Sequence, residues 1–247
     1  MEAIVLAGGL GTRLRSVVPD LPKPMASVNG RPFLEFLLDF WIGEGVDRFV
    51  LSVGYKHETV QNHFGSAYRS VPVDYSVEEK PLGTGGGILL ALEKVRTTKP
   101  FLLLNGDTYF DVEASGFREF HQRTGSDLTM VLRTMSEAGR FGTVCLGESG
   151  RLEQFCAPGE GTPPYLINGG IYLVNPGFLE KERLRWDGKM PLSLEGDLFP
   201  KWIREQKAIF GWQGTGEFID IGIPEEYRRC HELFHTFQLN STSFRED

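Results

Sequence analysis

Ala3-Ile4-Val5-Leu6-Ala7-Gly8-Gly9-Leu10-Gly11-Thr12-Arg13-Leu14-Arg15 carries no charge until Arg13. The apolar run Ala3 to Ala7 reads as a strand buried on both faces, the kind found inside a parallel sheet. It breaks into three glycines, which let the backbone turn tightly and approach a ligand closely. Successive free N–H groups in such a loop form an anion cradle, and Arg13 and Arg15 add fork-shaped phosphate donors. Leu21-Pro22-Lys23-Pro24-Met25 follows. Its prolines stiffen the backbone and present Lys23 as a fixed point charge. A strand end, a glycine loop, two guanidinium groups and a held ammonium together suit a polyphosphate. The loop is not an ATPase P-loop, because GxxxxGK is absent, and it lacks the third glycine of the dinucleotide fingerprint, where Leu14 stands.

Strands and helices then alternate. Pro32 is placed to open a helix at its first position, with Phe33, Phe36, Leu37, Phe40 and Trp41 at helical spacing and Gly43 and Gly45 at its end. Arg48 to Val53 reads as a strand, Glu58 to Phe64 as a short helix and Val73 to Val77 as a strand. A second glycine loop, Glu78 to Gly87, leads into a helix reaching Val95; Phe101 to Leu104 is the next strand and ends at Asn105-Gly106-Asp107. This alternation predicts a three-layer α/β/α fold on a mostly parallel sheet. Ligands in such folds collect at the carboxyl ends of strands, where both glycine loops and Asp107 lie. The second half reads differently. Leu128 to Arg133, Gly142 to Leu146, Leu152 to Phe155 and Tyr165 to Val174 are strand-like with short turns, a smaller mixed or antiparallel layer. Pro191 to Glu205 holds a helix, Glu217 to Pro224 ends a strand, and Glu225 to Phe237 closes the chain as a helix.

At 247 residues, with 40% hydrophobic and 24% charged residues, the chain suits one large domain with its own core. A net charge of −7 with no basic tract argues against nucleic acid but leaves room for a locally positive nucleotide pocket. Cys145, Cys156 and Cys230 show no CxxC spacing and read as reduced thiols, so a cytoplasmic location is expected. No long apolar run suggests a membrane span or signal segment.

GGLGTRLR followed by PKPM resembles the signature of the sugar-1-phosphate nucleotidyltransferases, which join a nucleoside triphosphate to a sugar 1-phosphate and release pyrophosphate. The resemblance extends from Met1 to about Glu232. Within that family, MEAIVLAGG, GRPFLEFLLD, SVGYK and EEKPLGTGG are most similar to the D-glycero-α-D-manno-heptose 1-phosphate guanylyltransferases. The resemblance implies one nucleotidyltransferase domain over 1–237, with a nucleotide-binding half (1–125), a sugar-binding half (126–237) and a frayed tail (238–247). It implies GTP and a sugar 1-phosphate as substrates, Mg²⁺ as cofactor, and a product used for cell-surface polysaccharide such as lipopolysaccharide or S-layer glycan. A mannose or glucose 1-phosphate, another nucleotide, or a catalytically silent nucleotide-binding relative remains the alternative, and a homo-oligomer stays open.

The expected catalytic residues are Arg13, Lys23, Asp107 and Asp220, with Asp107 and Asp220 as metal ligands, each following an apolar strand. Mg²⁺ prefers one or two carboxylates plus phosphate oxygens and waters. Arg13 is expected on the departing β- and γ-phosphates and Lys23 on the α-phosphate or sugar phosphate. The nucleotide is expected to meet Leu6, Gly8, Gly9, Gly11, Thr12, Arg13, Glu78, Glu79, Gly83, Thr84 and Gly106. A carboxylate from Glu78 or Glu79 leans toward guanine, whose N1–H and N2–H₂ are adjacent donors. Gly142, Asn168, Gly169, Glu195 and Asp197 are expected near the sugar. One departure matters. Many relatives carry Glu-Lys-Pro after the strand matching Leu152 to Phe155, and its lysine binds the sugar phosphate; here Cys156-Ala157-Pro158-Gly159-Glu160 has none, so either another cation substitutes, with Arg140 the candidate, or the sugar phosphate is held less tightly. His231-Glu232-Leu233-Phe234-His235 fits HExxH, but no plausible third ligand follows except tail acids Glu246 and Asp247, and the helix reads as amphipathic packing rather than a zinc site.

Overall fold

The computed structural model describes residues 1–9, 11–14, 17–156 and 160–242, without the side chains of 12 and 236–242. Arg15, counted above among the loop cations, and positions 157–159 lie outside the described residues, as do the tail acids Glu246 and Asp247. The first half contains β1 (Glu2–Leu6), β2 (Ser27–Val28), β3 (Arg31–Pro32), α1 (Phe33–Gly43), β4 (Arg48–Val53), α2 (His57–Phe64), β5 (Ala67–Tyr68), β6 (Val71–Val77), α3 (Gly83–Ala91) and β7 (Phe101–Asn105). Then come β8 (Thr108–Phe110), α4 (Ala114–Thr124), β9 (Leu128–Met135), β10 (Thr143–Leu146), β11 (Leu152–Cys156) and β12 (Tyr165–Val174). The chain finishes with α5 (Pro176–Arg183), α6 (Phe199–Arg204), β13 (Ile209–Gly214), β14 (Phe218–Asp220) and α7 (Pro224–Thr242).

The parallel core runs β7-β1-β4-β6, with Ile4 opposite both Val50 and Leu103. All four strands therefore end on one rim. Side chains alternate across the sheet. Ala3, Val5 and Ala7 face Leu34, Leu37, Leu38 and Trp41 of α1, with Val60 and Phe64 of α2 and Phe117 of α4 in the same cluster. Ile4, Val50 and Leu103 face Ile88 of α3, Phe178 of α5, and Phe199 and Trp202 of α6. These two apolar clusters, one on each face, are the three layers. The second half continues the same sheet. β12 pairs antiparallel with β7 through Ile171–Val174 and with β9 along its other edge, and β10 and β11 extend the sheet beyond it.

A small ribbon stands outside that sheet. β8 pairs antiparallel with β14, setting Asp220 opposite Thr108 and Ile219 opposite Tyr109. α7 packs over it, with Phe234 stacked on Phe36 at 4.2 Å between ring centres and edge-on to Tyr109. Pro32 caps α1 rather than occupying its first turn. α7 runs on to Thr242, past the expected end at Phe237, so the 238–242 part of the expected tail is helical. The second glycine loop is shorter than expected, since Gly83 to Gly87 form the first turns of α3.

Candidate active site

β1 ends at Leu6 and the chain continues over the rim as Ala7-Gly8-Gly9. Gly11 turns with φ +57°, and Thr12 to Leu14 form a single tight helical turn. Leu14 is buried in a cluster with Ile219 and Ile221, which ties the hairpin to the ribbon carrying Asp220. Arg13, next to it, is exposed. Lys23 begins the next tight turn, whose Pro24 and Met25 are buried, so its backbone is fixed and its side chain reaches inward.

Lys23 Nζ lies 2.6 Å from Asp107 Oδ2 and 3.3 Å from Asp220 Oδ1. Asp220 Oδ1 also accepts the Gly222 N–H at 2.7 Å, and Arg140 Nη2 lies 3.0 Å from Asp220 Oδ2. The Asp107 carbonyl accepts the Ile221 N–H at 3.1 Å. The β8–β14 ribbon thus brings together two aspartates distant in sequence, and two cations neutralise them. Burial pushes the Asp107 carboxyl up, but the Lys23 charge and hydrogen bond outweigh it, so the group ends below its ordinary range.

A cleft of about 560 Å³ opens beside this cluster. Leu6, Gly8, Gly9, Gly11, Arg13, Lys23, Glu78, Glu79, Gly83, Thr84 and Asp107 line it, all named from the sequence. The sequence reading missed Gly54, Tyr55, Asn105 and Gly222 on the same wall. Gly54 and Asn105 sit at the carboxyl ends of β4 and β7, and that placement alone was the available signal. Gly106 lies behind the cleft: its N–H donates to the Leu6 carbonyl at 2.9 Å, and a Cβ there would meet that oxygen at 2.6 Å. The Thr12 side chain is not among those described.

The two glutamates differ. Glu78 is half-buried; its Oε2 accepts the Leu82 N–H at 3.0 Å, while Oε1 meets Ser52 Oγ only at 3.4 Å. A Cβ on Gly8 would stand 2.9 Å from that Oε1, so the glutamate lies against the hairpin. Burial raises its carboxyl, offset in part by the Leu82 and Ser52 donors. Glu79 is exposed at the mouth.

The expected sugar-side residues are placed less directly, and none of them lines the cleft. Glu195 Oε2 accepts the Thr84 hydroxyl at 3.0 Å, and Asp197 Oδ2 accepts the Ser193 N–H at 2.8 Å. Asn168 is committed within its own strand, donating to Tyr172 Oη at 2.6 Å and accepting the Gly170 N–H at 3.0 Å. Gly169 packs on the Phe110 ring and Gly142 on Phe155. In α7, His231 Nδ1 sits 3.1 Å from Asn29 Oδ1 and His235 is exposed.

The Nucleotidyl transferase family pattern matches residues 2–236. The chain belongs to the nucleotidyl transferase family. This nucleotidyl transferase is 42% identical, over 95% of its length and 99% of the relative's, to a D-glycero-α-D-manno-heptose 1-phosphate guanylyltransferase of Aneurinibacillus thermoaerophilus. It is 36% identical, over 92% of its length and 97% of the relative's, to one of Campylobacter jejuni. Among solved structures it superimposes on HddC from Yersinia pseudotuberculosis with a TM-score of 0.82 at 32% identity, covering 94% of this chain and 99% of that one. A second crystal structure of HddC, complexed with GMP-PN, gives a TM-score of 0.80 at 31% identity, with the same coverage of each chain.

Proposed function

We propose that this nucleotidyl transferase joins GTP to D-glycero-α-D-manno-heptose 1-phosphate, giving GDP-heptose and pyrophosphate for cell-surface polysaccharide. The observation that carries the chemistry is the meeting of the glycine hairpin, Lys23, Asp107 and Asp220 at one rim of the sheet. The sugar and base follow from the names of two relatives matched over nearly their whole length.

An oxygen of the sugar phosphate attacks the α-phosphorus, the bond to the β-phosphate breaks, and pyrophosphate leaves. Two phosphate-bearing substrates repel: unit charges about 4 Å apart interact by roughly 4 kcal/mol at an effective dielectric near 20. Lys23 offsets that charge at the α-phosphate, and Arg13 takes the β- and γ-phosphates from the hairpin. No side-chain nucleophile is required, because positioning and charge neutralisation carry phosphoryl-type transfer. Asp107 and Asp220 suit Mg²⁺: a positive centre, the Lys23 ammonium, already bridges one oxygen of each, and two carboxylates leave the remaining positions to phosphate oxygens and water. When bound, the ion would draw charge from the reacting phosphates. Glu78 supplies the base-reading carboxylate. The Leu82 N–H anchors one oxygen, and the other, held only weakly by Ser52, remains to accept guanine N1–H and N2–H₂.

A matrix of GTP, ATP, UTP and dTTP against heptose, mannose and glucose 1-phosphates, read by pyrophosphate release, tests the reading. GTP with the heptose 1-phosphate should be fastest. A clear preference for another sugar moves the sugar assignment. Nucleotide binding without release for any pair leaves a catalytically silent relative.

A further inference from the structure

Asp220 has two carboxylate oxygens, and they face opposite halves of the chain. Oδ1 meets Lys23, from the nucleotide half. Oδ2 meets Arg140, from the connection between β9 and β10 in the other half. Arg140 Nη2 is ion-paired with Asp220 Oδ2 at 3.0 Å and donates a hydrogen bond to the Asp220 carbonyl at 3.1 Å. Nη1 is fully buried and has no partner among the described residues. A buried, charged donor left without an acceptor is costly and uncommon. Here it sits beside the reacting centre, two residues before Gly142, with the guanidinium stacked 4.7 Å from the Phe141 ring. Phe141 in turn packs edge-on to Phe218 of β14. Stacking fixes the plane of the fork while one of its tines stays empty.

A guanidinium held in plane with one arm free can take a phosphate oxygen on that arm, and a phosphate can accept both arms side by side. The stretch Cys156 to Glu160, where the resemblance implies a lysine on the sugar's phosphate, contains none, and Arg140 is a cation already beside Asp220. We infer that Arg140 is the residue that grips the phosphate of the sugar 1-phosphate, and that its pairing with Asp220 is a resting contact it gives up when substrate and metal enter. The inference rests on the sugar-nucleotide synthesis proposed above. Arg140 is then a placeholder: it occupies one oxygen of Asp220 before the substrates arrive and turns to the sugar's phosphate afterwards.

Arg140→Ala and Arg140→Lys, compared with the unaltered chain, test this in two independent readouts. In steady-state pyrophosphate release, Arg140→Ala should raise KM for the sugar 1-phosphate at least tenfold while KM for GTP stays within about twofold. Arg140→Lys should recover part of that loss, because a lysine keeps the charge but not the fork. In Mn²⁺ titrations without substrate, followed by electron paramagnetic resonance, Arg140→Ala should bind the ion several-fold more tightly, because Asp220 has lost a competing cation. A merely structural arginine would move both KM values together and loosen Mn²⁺. An unchanged sugar-phosphate KM, a parallel rise in both KM values, or weaker Mn²⁺ binding in Arg140→Ala overturns the inference. If the unaltered chain releases no pyrophosphate with any sugar, the proposed reaction fails. Arg140 is then judged by calorimetric binding of mannose 1-phosphate, which Arg140→Ala should weaken and which, if unweakened, removes the phosphate role.

Discussion

Lys23 is only about a tenth exposed and touches both acids at once. An ammonium held this way needs no reorganisation when charge builds between two phosphates, and preorganised charge of this kind acts mainly on the transition state. Lys23→Ala should therefore lower kcat about a hundredfold while leaving KM for GTP within a few-fold, a split that steady-state kinetics reads directly. Asp107→Asn and Asp220→Asn keep the shape and remove a charge each. Both should abolish Mg²⁺-dependent pyrophosphate release, and a near-normal rate in either would take that residue out of the metal site. Glu78→Gln exchanges a carboxylate, which can accept both guanine donors, for an amide that presents one donor and one acceptor. The ratio of kcat/KM for GTP over UTP should drop tenfold or more, since a site built around hydrogen-bond partners discriminates through the ones left unpaired. Each of these acids and cations was visible in the sequence because it sits just past an apolar run or between prolines. Arg140 carried a weaker mark: it surfaced only through the lysine missing from Cys156 to Glu160, and its pairing with Asp220 follows from a strand pairing that no spacing announces.

At the scale of elements, the second glycine stretch does something a loop would not. Gly83 has φ +75°, and a Cβ on it would come 2.5 Å from the Leu192 carbonyl. That carbonyl accepts the N–H groups of Gly85 and Gly86, and the Leu192 N–H returns to the Leu82 carbonyl at 2.7 Å. Trp186 lies over Gly86. The glycines are small so that the segment leading into α6 can lie on the start of α3, and Thr84 locks the contact through Leu194 and Glu195. Gly83→Ala should cost about 1–3 kcal/mol, from the positive φ and the clash together. Urea unfolding would show it, and activity should fall with it because Gly83 and Thr84 line the cleft. Glycine spacing alone reads as a turn, which is why the start of α3 escaped prediction. Other elements escaped for related reasons. β13, Ile-Phe-Gly-Trp-Gln-Gly, has two glycines that weaken any strand reading, yet it pairs parallel to β9 in register from Ile209 to Gly214. β8 is too short to register as a strand until it pairs with β14, which lies within the strand read at Glu217 to Pro224. β1, β4 and β12, by contrast, stand close to where the sequence puts them, since buried continuous apolar runs leave little choice of structure.

The whole molecule is held by one sheet whose two halves meet where β12 joins β7, and His121 sits near that seam. It is buried on α4, with Nδ1 2.8 Å from Thr129 Oγ1 of β9 and Nε2 3.4 Å from Asn175 Oδ1, just past β12. Asn175 also donates to the Ser126 carbonyl at 2.6 Å, so the ring ties helix, strand and connection together. Burial lowers the His121 pKa, and the Asn175 contact and the nearby Asp127 charge offset this only in part. The folded state therefore holds this proton less tightly than the unfolded chain, whose histidine titrates near its ordinary value of about 6.5. Between those two pKa values the unfolded chain binds more protons, so stability rises with pH there and is lost as pH falls. The contribution is complete above about pH 6.5 and declines below it, while most carboxylates are still ionised. Melting temperature should fall between pH 7 and pH 5.5, and His121→Gln, which keeps a polar side chain without a titrating ring, should flatten that slope even though its own melting temperature is lower throughout. A slope of the same size in His121→Gln would assign the acid sensitivity to another group.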